Sequence, residues 1–248
     1  MSATEPPCPF PETADIHTSS DGYAARFSGA VGAWMLGVQE RRTRDLLRGF
    51  EGGSVLDVGG GHGQLALPLG RDGWNVTVLG SDESCRRRIQ AAVDSGACRF
   101  VAGDVLALPF ADRAFDVVLC FRLLTHCARW PELVGELCRV ARRAVVVDYP
   151  TGRSLNAVAP ALFGAKKKLE GNTRTWTLFR GDELDGEFAK RGFAPAAAAK
   201  QFFLPMVLHR TLKIRAVAAG LEGGCRALGL TRRWGSPVIA RYEPAAGR

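Results

Sequence analysis

Short runs of unbroken apolar residues alternate along this chain with longer stretches in which apolar side chains recur every three or four positions. Ser54–Val58 (SVLDV), Trp74–Leu79 (WNVTVL), Cys98–Ala102, Phe115–Phe121 (FDVVLCF) and Ala144–Tyr149 (AVVVDY) read as strands. Several are apolar at every position, which fits strands covered on both faces by helices in a parallel sheet. Helical spacing falls between them, over Gln64–Leu69, roughly Ser84–Ser95, and Trp130–Arg142. Ahead of them Val31, Trp34, Val38, Leu46, Leu47 and Phe50 share one stripe of a helix that Gly52-Gly53 ends. This order predicts a doubly wound α/β architecture with helices on both faces.

After Tyr149 the pattern loosens. A polar, basic stretch from Pro150 to Arg180 leads to a helix near Asp182–Arg191, a strand at Gln201–Val207, a helix over Arg210–Leu228 and a last strand at Pro237–Tyr242. In the third of these, Leu212, Ile214, Val217, Leu221, Cys225 and Leu228 fall mostly on one face, with Arg210, Lys213, Arg215 and Arg226 elsewhere. That helix reads as an ordinary one packed on the sheet, or as a cationic, partly apolar surface for an anionic amphiphile or a membrane. The first fifteen residues hold four prolines and no apolar period, and read as a loose arm. No internal repeat is visible.

The chain has 248 residues, 46% hydrophobic and 23% charged, enough for one sizeable core, which excludes disorder and small disulfide scaffolds. Its seven cysteines form no C-x-x-C pair, so they read as reduced core thiols and no metal set is expected. With no signal-like N-terminus and no run of about 18 apolar residues, the expected location is the cytoplasm. The formal charge of +8 is uneven: residues 151–248 hold 17 Lys/Arg against 7 Asp/Glu, and residues 1–150 hold 16 against 18. The C-terminal part therefore calls for an acidic partner. Aromatic interleaving is thin and no nucleic-acid module appears, which speaks against RNA or DNA.

The chemistry concentrates at Val55-Leu56-Asp57-Val58-Gly59-Gly60-Gly61-His62-Gly63, where a strand carrying a carboxylate ends in G-x-G-x-G (Gly59, Gly61, Gly63). Glycine permits the sharp turn and the close ligand approach expected at that edge of an open α/β sheet. A dinucleotide fingerprint would need glycine where Gln64 stands, and a P-loop would need a Gly-Lys-Ser/Thr ending that is absent.

VLDVGGGHG, GDVLALPFADRAFDVVLC (Gly103–Cys120) and LLTHCARWPELVGELCRVAR (Leu123–Arg142), in this order and spacing, resemble the class I S-adenosylmethionine-dependent methyltransferases, in particular the ubiquinone/menaquinone methyltransferase group. The resemblance covers about Ser54 to Tyr149. It implies a Rossmann-like, mostly parallel seven-stranded sheet with an antiparallel last strand. It also implies S-adenosylmethionine as cofactor, and by motif match it assigns Asp57, Gly59, Gly61, Asp104 and Phe121 to it, with Gly63 and Val105 in the same two loops. Asp104 also reads as a cap for the turn before Pro109. The family's ribose-holding acid would fall on Gly80; the nearest groups are Ser81 and Asp82, with Asp82 the favoured ligand or else a helix cap. Residues 1–30 then form an arm and candidate lid, 31–149 the cofactor half and 150–248 the acceptor half of one domain.

Methyl transfer needs alignment and exclusion of water, with a base only for a protonated acceptor. His126, Arg122 and Tyr149 are the candidate catalytic residues. His126 reads as a base or orienting group, or as a structural histidine. Arg122 reads as a clamp for an acidic acceptor, or as a salt-bridge partner of Asp148. Arg153, Asn156, Asn172 and Arg174 continue the polar series, Lys166-Lys167-Lys168 adds a basic cluster, Tyr23 and Phe27 are candidate lid residues, and His62 packs the glycine loop. The expected function is methylation of a small organic acceptor, anionic or lipid-like; the rival is a non-catalytic S-adenosylmethionine-binding protein.

Overall fold

A computed structural model describes residues 10–154 and 176–245. Seven strands, β1 (Ser54–Val58), β2 (Asn75–Gly80), β3 (Arg99–Ala102), β4 (Phe115–Cys120), β5 (Ala141–Tyr149), β6 (Phe193–Phe202) and β7 (Ser236–Pro244), form one sheet in the order β3-β2-β1-β4-β5-β7-β6. The first five are parallel, and β7 runs antiparallel to both β5 and β6. The strand order reverses on either side of β1. Val58 is in register with Leu79 of β2 and Cys120 of β4, so three strand ends converge where an open α/β sheet forms its ligand crevice.

Among the described residues the helices are α1 (Ala14–Thr18), α2 (Asp21–Ala24), α3 (Gly29–Leu46), α4 (Ala66–Arg71), α5 (Gln90–Asp94), α6 (Trp130–Val140), α7 (Gly181–Lys190), α8 (Met206–Leu212), α9 (Arg215–Ala227) and α10 (Leu230–Trp234). Strand side chains alternate between two cores. Leu56, Val118, Val145 and Val147 pack with Leu133, Leu137 and Phe188 of α6 and α7. Val55, Val117, Leu119 and Val146 pack with Leu46, Leu69 and Ile89 on the other face. Both faces are dry, and that explains the unbroken apolar runs. Among the described residues no helix is long and apolar enough to cross a membrane.

Three expectations change. The strand expected at Gln201–Val207 is instead β6, Phe193–Phe202, and the chain turns helical at Met206. The segment FAPAAAAKQF lacks β-branched residues, but as the sheet's outer strand it tolerates Pro195, next to which the register with β7 shifts. The helix expected over Arg210–Leu228 is broken at Lys213, whose φ of +54° no α-helix contains. The arm is ordered from residue 10 onward, with Asp15 fully buried; its first nine residues lie outside the described ones.

Candidate active site

Beyond Val58 the chain passes through Gly59 (φ +74°), a single 3-10 turn over Gly60–His62, and Gly63 (φ +76°). Left-handed backbone at both ends favours glycine, and packing excludes anything larger. A Cβ on Gly60 would run into the carboxyl group of Asp57, and one on Gly61 into the Cys85 carbonyl oxygen. Asp57 is almost wholly buried beneath this loop. Burial pushes its carboxyl up to about 7, the Arg122 charge opposes that rise, and the Asp148 charge adds to it.

At the end of β2 a Cβ on Gly80 would sit 2.6 Å from the Cβ of Cys85, so no acid can stand there. Asp82 is turned to cap the following 3-10 turn: its Oδ1 accepts the Ser84 N–H at 2.8 Å, and the Ser84 bonds hold its carboxyl below the usual range. The acid that reaches Ser81 comes from the N-terminal arm. Asp15 accepts both the Ser81 N–H and the Ser81 hydroxyl, each at 2.5 Å. Its α1 neighbours complete the cover. Ser19 Oγ lies 2.5 Å from where a Gly61 Cβ would stand, and Glu12 accepts the Arg129 N–H at 2.9 Å. Residues 15–19 therefore lie in the groove between the glycine loop and the end of β2, while Glu12 ties the arm to the start of α6. Past β3, Asp104 Oδ1 accepts the Leu106 N–H at 2.8 Å and closes a local turn, while the Val105 side chain is wholly buried in the core.

Beside this groove a cavity of about 440 Å³ opens at the ends of β4 and β5 under α3 and α8. Tyr23, Phe27, Trp176 and Phe202 give it an aromatic lining, and Arg26, Arg122 and Arg210 give it positive charge. Arg122 occupies left-handed backbone (φ +58°), a conformation that costs a non-glycine residue about 1 kcal/mol. The turn is held by the Arg122 N–H donating to Asp148 Oδ1 at 2.6 Å, while Gln39 Nε2 donates to Asp148 Oδ2 at 2.8 Å. Burial pushes the Asp148 carboxyl up to about 6. The contact weighed as a salt bridge thus runs through the Arg122 backbone. The guanidinium instead lies 5.8 Å from the Tyr23 ring centroid and 5.4 Å from that of Phe27, and its Nη1 is buried with no hydrogen-bond partner among the described residues.

His126 also lines the cavity, its ring edge-on to Trp176 at 5.2 Å. His62 packs edge-on to Tyr23 and Phe27, with neither ring nitrogen partnered among the described residues, and burial drives it down to about 3, so it is neutral. Tyr149 is a correction. It follows Asp148 in β5 and so faces the other side of the sheet, where it meets Phe179 and burial pushes its hydroxyl up to about 12; it does not line the cavity. Phe121 is buried in the second core. Arg153 is exposed. Asn156, Asn172, Arg174 and Lys166-Lys167-Lys168 lie outside the described residues.

Sequence reasoning passed over Asp15, Ser19, Arg26, Gln39 and Trp176. Gln39 had a signal, since Met35, Gln39 and Thr43 follow one another at i+4 and all are buried. Asp15 had none, because α1 is five residues long and stands in a proline-rich arm.

Asp57 has a pKa of about 7 in the folded chain against an ordinary 3.8. Its contribution to stability is complete below about pH 4 and disappears as the pH rises through 7, and the raised Asp148 acts in the same sense. Asp57→Asn, measured by thermal melts of the apo protein, should therefore lose less melting temperature than the wild type between pH 4 and 7. Equal slopes would contradict the burial argument.

Residues 56–147 match the family model described as a methyltransferase domain. The malonyl-[acyl-carrier protein] O-methyltransferase of Pectobacterium atrosepticum is 29% identical over 61% of this chain and 60% of its own length. A ubiquinone/menaquinone biosynthesis C-methyltransferase of Roseobacter denitrificans is 36% identical over 42% of this chain and 46% of its own. The chain thus matches about half to three-fifths of these curated relatives' length. The magnesium protoporphyrin IX methyltransferase of Synechocystis PCC 6803, solved with bound S-adenosylhomocysteine, shares the fold at a TM-score of 0.64 and 15% identity, over 94% of this chain and 98% of that one. The matched stretch runs from β1 through the glycine loop to β5, so residues 56–147 of this chain form a methyltransferase domain, on the fold of S-adenosylmethionine-dependent enzymes.

Proposed function

We propose that this protein transfers the methyl group of S-adenosylmethionine to a small organic acceptor that has an apolar body and a negative charge. The observation that carries the acceptor class is Arg122, which lines an aromatic-walled cavity and whose Nη1 has no hydrogen-bond partner among the described residues. A guanidinium at such a wall is under-paired, and a carboxylate or phenolate in the cavity would supply charge-assisted hydrogen bonds to it. The apolar rings would hold the body of the acceptor and exclude water from the reacting atoms.

S-Adenosylmethionine supplies a methyl group on a positively charged sulfur. The glycine loop over Asp57 is a cradle free of side chains, suited to the cofactor's amino-acid end. Ser81 and Asp104 would face the ribose and adenine ends, with the Val105 backbone amide beside them. Arg122 would set the acceptor's orientation, and His126, in the same cavity, is our candidate for orienting the acceptor or taking its proton. In this reading residues 31–149 build the cofactor side and 150–248 the acceptor side, while the arm covers both.

Residues 15–19 would stand in the cofactor's place, so binding requires them to withdraw and give up the Asp15–Ser81 bonds.

Calorimetry with S-adenosylhomocysteine tests the proposal. The wild type should bind one equivalent with a Kd below ~50 µM. Asp15→Ala should bind about tenfold tighter, because the arm loses two hydrogen bonds that compete with the cofactor. Absence of binding would remove the cofactor assignment, and weaker binding by the variant would make Asp15 a ligand instead of a competitor. For the acceptor, 4-hydroxybenzoate should raise the melting temperature of the S-adenosylhomocysteine complex where its methyl ester does not. Arg122→Met should lower the acid's affinity about tenfold or more, the range expected for a lost charge-assisted contact. Equal response to acid and ester would exclude an anion-selective cavity.

A further inference from the structure

The C-terminal helices carry their large apolar side chains on the outside. In α9 the fully buried positions are Ala218 and Glu222. Glu222 accepts the N–H groups of Phe203 and Leu204 at 3.0 and 2.8 Å and pairs with the buried His209 ring at 3.0 Å, so a polar clasp anchors the helix. The apolar stripe read from the sequence faces solvent: Ile214 is 58% exposed, Val217 43%, Leu221 46% and Leu228 77%. These positions recur at helical spacing and fall on one side of the helix. Leu208 in α8 and Trp234 at the end of α10 are exposed as well. The expectation that this apolar face packs on the sheet is therefore corrected. A set of large apolar residues this continuous on a protein surface marks an interaction site.

The surrounding charge identifies the partner. Between Met206 and Trp234 the exposed cations are Lys213, Arg215, Arg226, Arg232 and Arg233, and the single acid, Glu222, is buried. A second copy docked through the same face would bring these five cations against five more with no exposed acid from Met206–Trp234 to meet them, and Asp45, in the groove beside α9, is already paired with Arg42 and Arg48. An anionic bilayer supplies both requirements, acyl chains for Val217 and Leu221 and headgroup phosphates for the flanking arginines. The helix just before, α8, contributes Met206, Val207 and Arg210 to the cavity beside the candidate active site.

We propose that α9, with the ends of α8 and α10, docks the protein peripherally on an anionic lipid surface and brings the acceptor cavity to it. The docking face stands on its own exposure and charge and does not depend on the acceptor's identity.

Co-sedimentation with vesicles tests this. The wild type should pellet with vesicles of phosphatidylcholine mixed with phosphatidylglycerol, remain in the supernatant with phosphatidylcholine alone, and be released as salt is raised. The double variant V217D/L221D should bind the mixed vesicles about tenfold more weakly, with melting temperature and S-adenosylhomocysteine affinity unchanged, since neither side chain is buried. K213Q/R215Q should weaken binding while leaving the apolar stripe intact. A wild type that stays in the supernatant with anionic vesicles, or a V217D/L221D protein that pellets like the wild type, would overturn the proposal. So would a wild-type dimer in sedimentation velocity that V217D/L221D converts to monomer, since it would assign the face to a second copy.

Discussion

Everything at the functional edge depends on how tightly the turn after β1 is packed. The Asp57 carboxyl lies directly beneath Gly60 and the Cys85 carbonyl directly beneath Gly61, so the loop is pinned from below by one side chain and one backbone group. A buried carboxyl is an expensive support, and its pKa near 7 is the measure of that cost. The return is a stretch of bare backbone at the point where β1, β2 and β4 end together. The same crowding reaches β2, since Cys85, which supports Gly61, also leaves no room for a side chain on Gly80.

Two neighbouring compartments follow. The groove over the glycine loop contains the arm, held by the bidentate Asp15–Ser81 contact. The cavity past β4 is organised by Asp148, which fixes Arg122 through its backbone and Gln39 through its amide. Tyr23 and Phe27 belong to both, because they follow α1 in sequence, pack edge-on against His62 of the glycine loop, and roof the Arg122 guanidinium. Movement of the arm out of the groove would therefore also be felt in the cavity. A cofactor and an acceptor could sense each other through the arm.

The sheet was legible because its inner parallel strands β1, β2, β4 and β5 are largely dry on both faces and their apolar runs are unbroken, as in Val117–Cys120 and Ala144–Val147. The glycine loop was legible for a related reason: steric demand there admits one residue type. β6 escaped because an edge strand can be built from alanine, and the placement of α9 escaped because periodicity reveals that a helix is amphipathic without saying which way its apolar side turns. Asp15 escaped because its role is set by a long-range meeting with Ser81, 66 positions away, and a five-residue helix leaves no periodic trace. Tyr149 was misassigned by a single position in β5, where neighbouring side chains face opposite sides of the sheet.

In the proposed function the arm and the cofactor compete for one groove. Hydrogen–deuterium exchange of the backbone amides in residues 12–20, with and without saturating S-adenosylhomocysteine, reads that competition directly. Expulsion of α1 should speed exchange at the Ser19 and Ser20 amides, which are bonded to the Asp15 and His17 carbonyls in the closed arm, while the amides of the glycine loop become more protected. Slower exchange in the arm together with the loop would contradict the account, because the arm would then be closing over the cofactor instead of giving way to it.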